Sequence, residues 1–181
     1  MKYISLLRGI NISGKNKISM SELKKELEIN NYQNVITYLN SGNIIFDSDI
    51  NDKESVMKDI SKIIKNRFDL EIPVFIMNSK ELEEVLKNKP SWWATNNKEI
   101  YNNLIFIIPP TTYEEVYNAI GEPKKEIEKI KEYNNYIFWS FDLKNYRKSN
   151  WWVKTASTNI KDKITIRTAN TIKKVLEICN K

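Results

Sequence analysis

The chain has 181 residues, 41% of them hydrophobic, with 29 Lys or Arg against 23 Asp or Glu and a formal net charge of +6. This is enough apolar material for one sizeable core or two small packed halves. There is no histidine and a single cysteine, Cys179, which excludes an internal disulfide, the usual zinc and iron ligand sets and every Ser-His or Cys-His nucleophile pair.

Patterning over the first half predicts the order βαββαβ. Residues 3–8 read as a strand, and leucines at helical spacing follow a capping box of Ser19 and Glu22. A hairpin is expected next, with strands 35–39 and 44–46 around the turn Asn40 to Asn43. The half closes with a helix over 52–67 and a strand over 73–77.

The second half repeats this order after a helix at 79–88 and a polar link. Its predicted elements are a strand at 104–108, a helix from Thr112 to Gly121, a hairpin of 127–131 with 136–141, a short helix at 144–157, a strand at 164–166 and a helix at 169–179. The predicted class is α+β: two ferredoxin-like βαββαβ units packed together, with antiparallel sheets and helices on one face. The expected domains are 1–78, a connecting segment 79–101, and 102–181 with the last helix.

The loop after the first strand has the composition of an anion-binding site. Arg8 and Lys15 supply positive charge, and Gly9 and Gly14 allow backbone N–H groups to form a nest for phosphate or carboxylate. The structural alternative is that these glycines only permit a long turn while Ile10 and Ile12 fill the core. The turn of Ser41, Gly42 and Asn43 likewise reads as an ordinary hairpin connection when taken alone.

The same loop comes close to a P-loop. Gly9, Gly14 and Lys15 match its spacing, but Asn16 stands where a Ser or Thr would bind magnesium. In a P-loop the helix begins almost at the lysine, whereas the helix predicted here begins only near Met20. The strands that follow form a hairpin, whereas the sheets of P-loop proteins are parallel. A small phosphate-handling enzyme therefore stays an alternative for which no catalytic residue can be named.

A second alternative comes from the distribution of charge. Residues 143–181 hold ten Lys or Arg against two acids, together with aromatic residues such as Tyr146, Trp151 and Trp152. Such a segment favours binding of RNA or another single-stranded nucleic acid, with strand aromatics for base stacking. Those aromatics are Tyr38, Phe46, Tyr136, Phe138 and Trp139. The competing interpretation is a solvated helical face with aromatic core anchors.

Two motifs carry a resemblance to a known family. Leu6-Leu7-Arg8-Gly9-Ile10-Asn11, continued by Gly14-Lys15-Asn16-Lys17-Ile18, is followed by Thr37-Tyr38-Leu39-Asn40-Ser41-Gly42-Asn43. The pair resembles the opening of a bacterial family of unknown function and of this chain's length. A degraded later element runs from Thr165 to Thr171. Ser13 and Ala169 depart from the family pattern, which usually has a glycine and a tryptophan there.

The resemblance implies a duplicated ferredoxin-like fold, no established activity, and a set of functional positions. Those positions are Arg8, Gly9, Asn11, Gly14, Lys15, Asn16, Tyr38, Ser41, Gly42, Asn43 and Arg167. All of them except Tyr38 are the ligand-binding residues that we expect. The predicted function is binding of a phosphate-bearing or other anionic small molecule at the Arg8–Lys17 loop, with no cofactor and no metal.

Location is predicted from what the sequence lacks. No apolar run approaches the roughly 18 residues that span a bilayer, and no charged and apolar leader precedes the first strand. We therefore expect a cytoplasmic protein without a membrane partner. Cys179 lies on the apolar face of the last predicted helix, which is typical of a buried structural thiol.

Overall fold

The computed structural model describes residues 1–156 and 159–181. The chain folds into two compact units, Met1–Glu83 with Val175–Lys181, and Glu84–Lys174. The domain bounds expected from the sequence stay a prediction. No helix in the described part of the chain is long and apolar enough to cross a membrane.

The first unit follows the predicted order. Its elements are β1 (Lys2–Leu7), α1 (Met20–Ile29), β2 (Gln33–Tyr38), β3 (Asn43–Asp47), α2 (Lys53–Phe68) and β4 (Val74–Asn78). The strands form one antiparallel sheet of order β2-β3-β1-β4. A register shift between Gln33 and Ile36 interrupts the β2–β3 pairing, and Asn34 has a φ of 50° there, which is the geometry of a β-bulge.

Helix α3 (Ser79–Lys87) precedes the strands of the second unit. The later elements are β5 (Ile100–Ile107), α4 (Tyr113–Ile120), β6 (Glu128–Tyr133), β7 (Tyr136–Asp142), a 3-10 helix (Leu143–Lys148), α5 (Asn150–Thr155), β8 (Ile164–Thr168) and α6 (Ala169–Cys179). The sheet order is β6-β7-β5-β8, again antiparallel. The α+β class and the two antiparallel sheets are thereby confirmed.

Two segments differ from the pattern-based expectation. β5 begins at Ile100, inside the predicted polar link, because Asn102 and Asn103 continue the strand although their side chains are polar. The predicted helix at 144–157 is a 3-10 turn followed by α5, separated at Ser149, whose hydroxyl accepts a hydrogen bond from the Trp152 N–H. The predicted end of that helix at residue 157 lies outside the described residues.

Each sheet has one face packed by helices. In the first unit, Leu23 and Leu27 of α1 and Ile60 of α2 belong to the same buried cluster as Leu7 and Phe46 of the sheet. In the second, Val116 and Ile120 of α4 share a cluster with strand residues that include Ile105 and Trp139. Full burial of such side chains contributes about 1.5–3 kcal/mol each, so these clusters hold the helices against the sheets.

Candidate functional site

The loop between β1 and α1 folds back on itself. The Lys15 N–H donates to the Ile12 carbonyl at 2.9 Å, and the Asn11 N–H donates to the Asn16 carbonyl at 3.1 Å. Five of its residues have φ between 46° and 76°, in the left-handed region: Gly9, Asn11, Ser13, Gly14 and Asn16. The loop is thus a compact turn that presents Lys15 at its exposed tip.

Asn11 ties this loop to the β2–β3 hairpin. Its Nδ2 donates to the carbonyls of Ile18 and Asn40, both at 2.9 Å, and its Oδ1 accepts from the Ile18 N–H at 2.9 Å. A carboxamide has two N–H donors, and both are used here. Asn11 therefore shapes the loop through its side chain, and it has no further amide N–H to offer a ligand.

Gly42 brings the hairpin turn against β1. The Leu7 N–H donates to the Gly42 carbonyl at 2.9 Å. A Cβ at Gly42 would lie 2.6 Å from the Leu7 Cβ and 3.0 Å from the Ile10 Cδ1. This contact requires glycine, because real Cβ atoms do not approach so closely and because the φ of Gly42 is 79°.

Asn43 and Ser41 complete the turn. The fully buried Asn43 side chain donates from Nδ2 to the Tyr38 carbonyl at 2.8 Å and to the Ser41 Oγ at 3.1 Å. These bonds satisfy a polar group that would otherwise be costly to bury. The turn therefore has the hairpin-closing role that the sequence allowed as its alternative interpretation.

A cavity of about 580 Å³ lies beside the loop, at the amino end of α1. Residues of the loop, the hairpin turn and the first helical turn line it: Asn11, Gly14, Lys17, Ile18, Ser19, Met20, Ser21 and Asn40. The Ser19 Oγ accepts from the Glu22 N–H at 3.3 Å and lies 3.0 Å from the Ser21 Oγ. Ser19, Met20 and Ser21 at the start of α1 thus line the same cavity as Lys17.

The electrostatic character of this cavity is positive. Lys17 is exposed in its lining, and a helix amino terminus carries about half a positive elementary charge. The acid in the first turn of α1, Glu22, pairs with the Arg67 guanidinium at 3.7 Å. These features suit an anion better than a cation.

The other predicted loop residues lie around the cavity without lining it. Arg8 is half-buried at the end of β1, where its N–H donates to the Pro73 carbonyl at 3.0 Å. Asn16 is exposed and donates from Nδ2 to the Gly9 carbonyl at 3.0 Å. The alternative prediction that Ile10 and Ile12 fill the core is correct for Ile10, which is buried, and wrong for Ile12, which is 60% exposed.

Arg167 belongs to the second unit. It lies on β8, is only 7% exposed, and donates from one guanidinium nitrogen to the Thr165 Oγ1 at 2.8 Å and to the Ile166 carbonyl at 2.9 Å. Its association with the loop of the first unit stays a prediction.

The helical side of the cavity is the part that sequence reasoning missed. The sequence indicates Ser19 only as a helix cap, and its patterning assigns no ligand role to Ser21, Met20 or Asn40. The signal that could have found them is the cap itself, because a capped helix start following a basic loop places N–H groups and hydroxyls beside that loop.

Two further predictions concern chemistry away from the loop. Among the described residues there is no group of three or more Cys, Asp or Glu side chains that could hold a metal ion. Cys179 is buried and without a disulfide, as expected, and burial raises the pKa of its thiol to about 11. A thiol of this kind is a poor nucleophile at neutral pH.

Comparison with known proteins gives a family and a structural relative. A family model described as a protein of unknown function (DUF1697) matches residues 1–138. A solved structure, the conserved bacterial protein SP0830 from Streptococcus pneumoniae, is 27% identical with a TM-score of 0.86, and the alignment covers 98% of each chain. A search of curated proteins finds no match.

Proposed function

Since the chain belongs to the protein family of unknown function DUF1697, whose description states no activity, we propose from the geometry of the loop that it binds a small anionic ligand. The ligand is of the phosphate or carboxylate class, and the site is the cavity at the amino end of α1. The observation that carries the proposal is that Gly14 and Lys17 of the loop line one cavity together with Ser19 and Ser21 at the start of α1.

Lys17 supplies most of the attraction in this proposal. A hydrogen bond to a charged group contributes about 1.5–3 kcal/mol, whereas a helix amino terminus adds about 0.3–1 kcal/mol for an anion. Together these terms amount to about 2–4 kcal/mol, which corresponds to a dissociation constant between about one and tens of millimolar. Screening concentrations should therefore reach tens of millimolar.

The remaining predicted residues take different parts in the proposed site. Arg8 and Lys15 add positive charge to the surroundings, while Asn11 and Gly42 hold the loop and the hairpin in place. Gly9, Asn16, Ser41 and Asn43 support the two turns through their backbone conformation or their hydrogen bonds. Arg167 stays a predicted ligand residue. The proposal is one of binding and names no catalytic residue, and the cytoplasmic location stays a prediction from the sequence.

The test is a thermal-shift titration with inorganic phosphate, pyrophosphate, a nucleoside monophosphate and citrate. Ligand at ten times its dissociation constant stabilises a protein by about 1.4 kcal/mol, which is about 3–6 °C in Tm at this chain length. We expect Lys17→Ala to remove the shift.

Lys25→Ala is the matched control, because Lys25 is also an exposed lysine, lies on α1 and does not line the cavity. A Tm shift of equal size in wild type, Lys17→Ala and Lys25→Ala would show that the anion binds elsewhere, and it would refute the proposed site. The absence of any shift at tens of millimolar would refute the proposed function.

A further inference from the structure

Four aromatic rings form a connected strip in the second unit. The rings of Tyr101 and Phe141 have centroids 5.4 Å apart, those of Phe141 and Trp152 also 5.4 Å, and those of Trp152 and Tyr146 5.1 Å. The Arg147 guanidinium lies 5.6 Å from the Tyr146 ring centroid, and its Nε donates to the Tyr146 hydroxyl at 2.9 Å. We call Tyr101, Phe141, Tyr146, Trp152 and Arg147 the aromatic strip.

The two large rings of the strip are open to solvent. Trp152 is 42% exposed and Tyr101 is 37% exposed, whereas the neighbouring Trp151 is fully buried. Phe141 lies beneath them at 2% exposure. Both exposed rings pack against the Phe141 ring, so they lie on the same part of the surface.

The segment that carries Tyr146 and Trp152 is basic, and the acids beside it are Asp142 and Glu99. The segment 143–156 contains Lys144, Arg147, Lys148 and Lys154 and no acid. Arg147 and Lys148 are both exposed, while Lys144 is paired with Glu99 at 2.6 Å. Arg147, which lies against the Tyr146 ring, and its exposed neighbour Lys148 therefore add two positive charges to this segment.

A cavity of about 380 Å³ lies at the Tyr101 end of the strip. Besides Tyr101, its lining includes Lys98 and Lys173 and several carboxamides, those of Asn96, Asn97, Asn102 and Asn170. The side chains of Asn97, Asn102 and Lys173 already bond within the fold. Those of Asn96 and Asn170 can donate to and accept from the edges of bases, and Lys98 can contact phosphate. The strip and the cavity are thus continuous through Tyr101.

We propose that the aromatic strip and this cavity bind single-stranded nucleic acid. Exposed aromatic faces stack on bases without sequence preference, and an adjacent row of basic side chains follows the phosphate backbone. The surface differs from the one expected from the strand aromatics, because Phe46, Phe138 and Trp139 are buried. An acidic peptide would satisfy the charges but would leave the flat ring faces without a stacking partner.

The test is fluorescence anisotropy of a labelled oligouridine of about 12 nucleotides, a length that spans the usual site sizes. We expect Trp152→Ala to weaken binding about fivefold or more, and Trp152→Phe to restore most of it, because stacking needs only a ring. Arg147→Ala with Lys148→Ala should lower the magnitude of the slope of log K against log salt by about 1.4, which is two charges at about 0.7 each.

The matched control is Lys25→Ala with Lys62→Ala, which removes the same charge from exposed positions on α1 and α2. This control should bind as the wild type does. Equal weakening of oligonucleotide binding in both double variants would refute the proposed binding surface, because binding would then depend on net charge alone. Dimerisation of the chain that Trp152→Ala abolishes, with no oligonucleotide bound by wild type, would refute nucleic acid as the partner.

Circular dichroism and Tm of each variant separate lost binding from lost folding. The variant Arg147→Ala with Lys148→Ala leaves every ring of the strip in place. Its salt slope therefore tests the proposal even if Trp152→Ala unfolds α5. If the variant Arg147→Ala with Lys148→Ala is folded and its salt slope equals that of the wild type, the proposal is overturned.

Discussion

At the scale of single residues, glycines with similar backbone angles have different packing requirements. Gly42 and Gly14 have φ of 79° and 76°. A Cβ at Gly42 would overlap Leu7, whereas a Cβ at Gly14 meets nothing within 4 Å. The backbone preference is therefore shared by the two positions, while the steric requirement belongs to Gly42.

Gly42→Ala should destabilise the protein by about 3 kcal/mol, which combines the strain of a left-handed alanine with overpacking. At this chain length the loss corresponds to about 6–12 °C in Tm. Gly14→Ala should cost only about 1 kcal/mol, because it has the strain without the overlap. Chemical denaturation of both variants checks the difference, and equal losses would contradict the steric argument.

At the scale of elements, a buried carboxylate anchors α5 to β6. Glu128 is 2% exposed and accepts from the Ser149 hydroxyl, from the Asn150 N–H at 2.7 Å, from the Lys124 N–H at 3.0 Å and from the Trp139 indole at 3.3 Å. These donors satisfy the oxygens and fix the start of the helix that carries Trp152.

Glu128→Gln should therefore destabilise the second unit by about 2 kcal/mol, because an amide N–H₂ would face the donors that the carboxylate now accepts from. Urea denaturation measures the loss. Glu126→Gln, at an exposed position two residues earlier, is the control and should change stability by less than about 0.5 kcal/mol. A neutral Glu128→Gln would show that the network does not hold the helix.

The cap of helix α2 makes the stability of the protein depend on pH in the acid range. Hydrogen bonds from the hydroxyl and backbone N–H of Ser55 hold the pKa of Asp52, the amino-terminal cap, below its usual value of 3.8. A carboxyl with a depressed folded pKa stabilises the protein above its unfolded pKa, and this contribution is lost as pH falls through the folded value.

The Tm of wild type should consequently fall more steeply than that of Asp52→Asn as pH is lowered from about 4.5 through the acid range. Asparagine accepts the same capping hydrogen bonds but does not titrate. Parallel Tm profiles for the two proteins would show that Asp52 does not contribute to the acid transition.

At the scale of the whole molecule, the lack of histidine removes the side chain that ordinarily titrates near neutral pH. Stability changes with pH only where folded and unfolded states bind different numbers of protons. The free energy of unfolding should thus be nearly constant between about pH 5.5 and pH 7. Denaturant titrations at three pH values in this range check it, and a sloping profile would indicate a carboxyl of strongly raised pKa.

Local signals in the sequence predicted most of the fold. Periodicity and caps located α2, α6 and both hairpins to within one to a few residues, because amphipathic spacing and turn residues act over short stretches of chain. The same signals failed at Ile100–Asn103, where polar side chains lie within a strand that only its pairing with β7 and β8 defines.

The sequence by itself determined the α+β class, the basic glycine-containing loop and the absence of histidine chemistry. The tertiary structure alone decided that both Asn11 amide hydrogens are used within the fold, that Ser19 and Ser21 share a cavity with Lys17, and that Trp152 is exposed beside a buried Trp151. The physical reason is that composition and spacing act locally, whereas hydrogen-bond partners and burial depend on segments far apart in the chain.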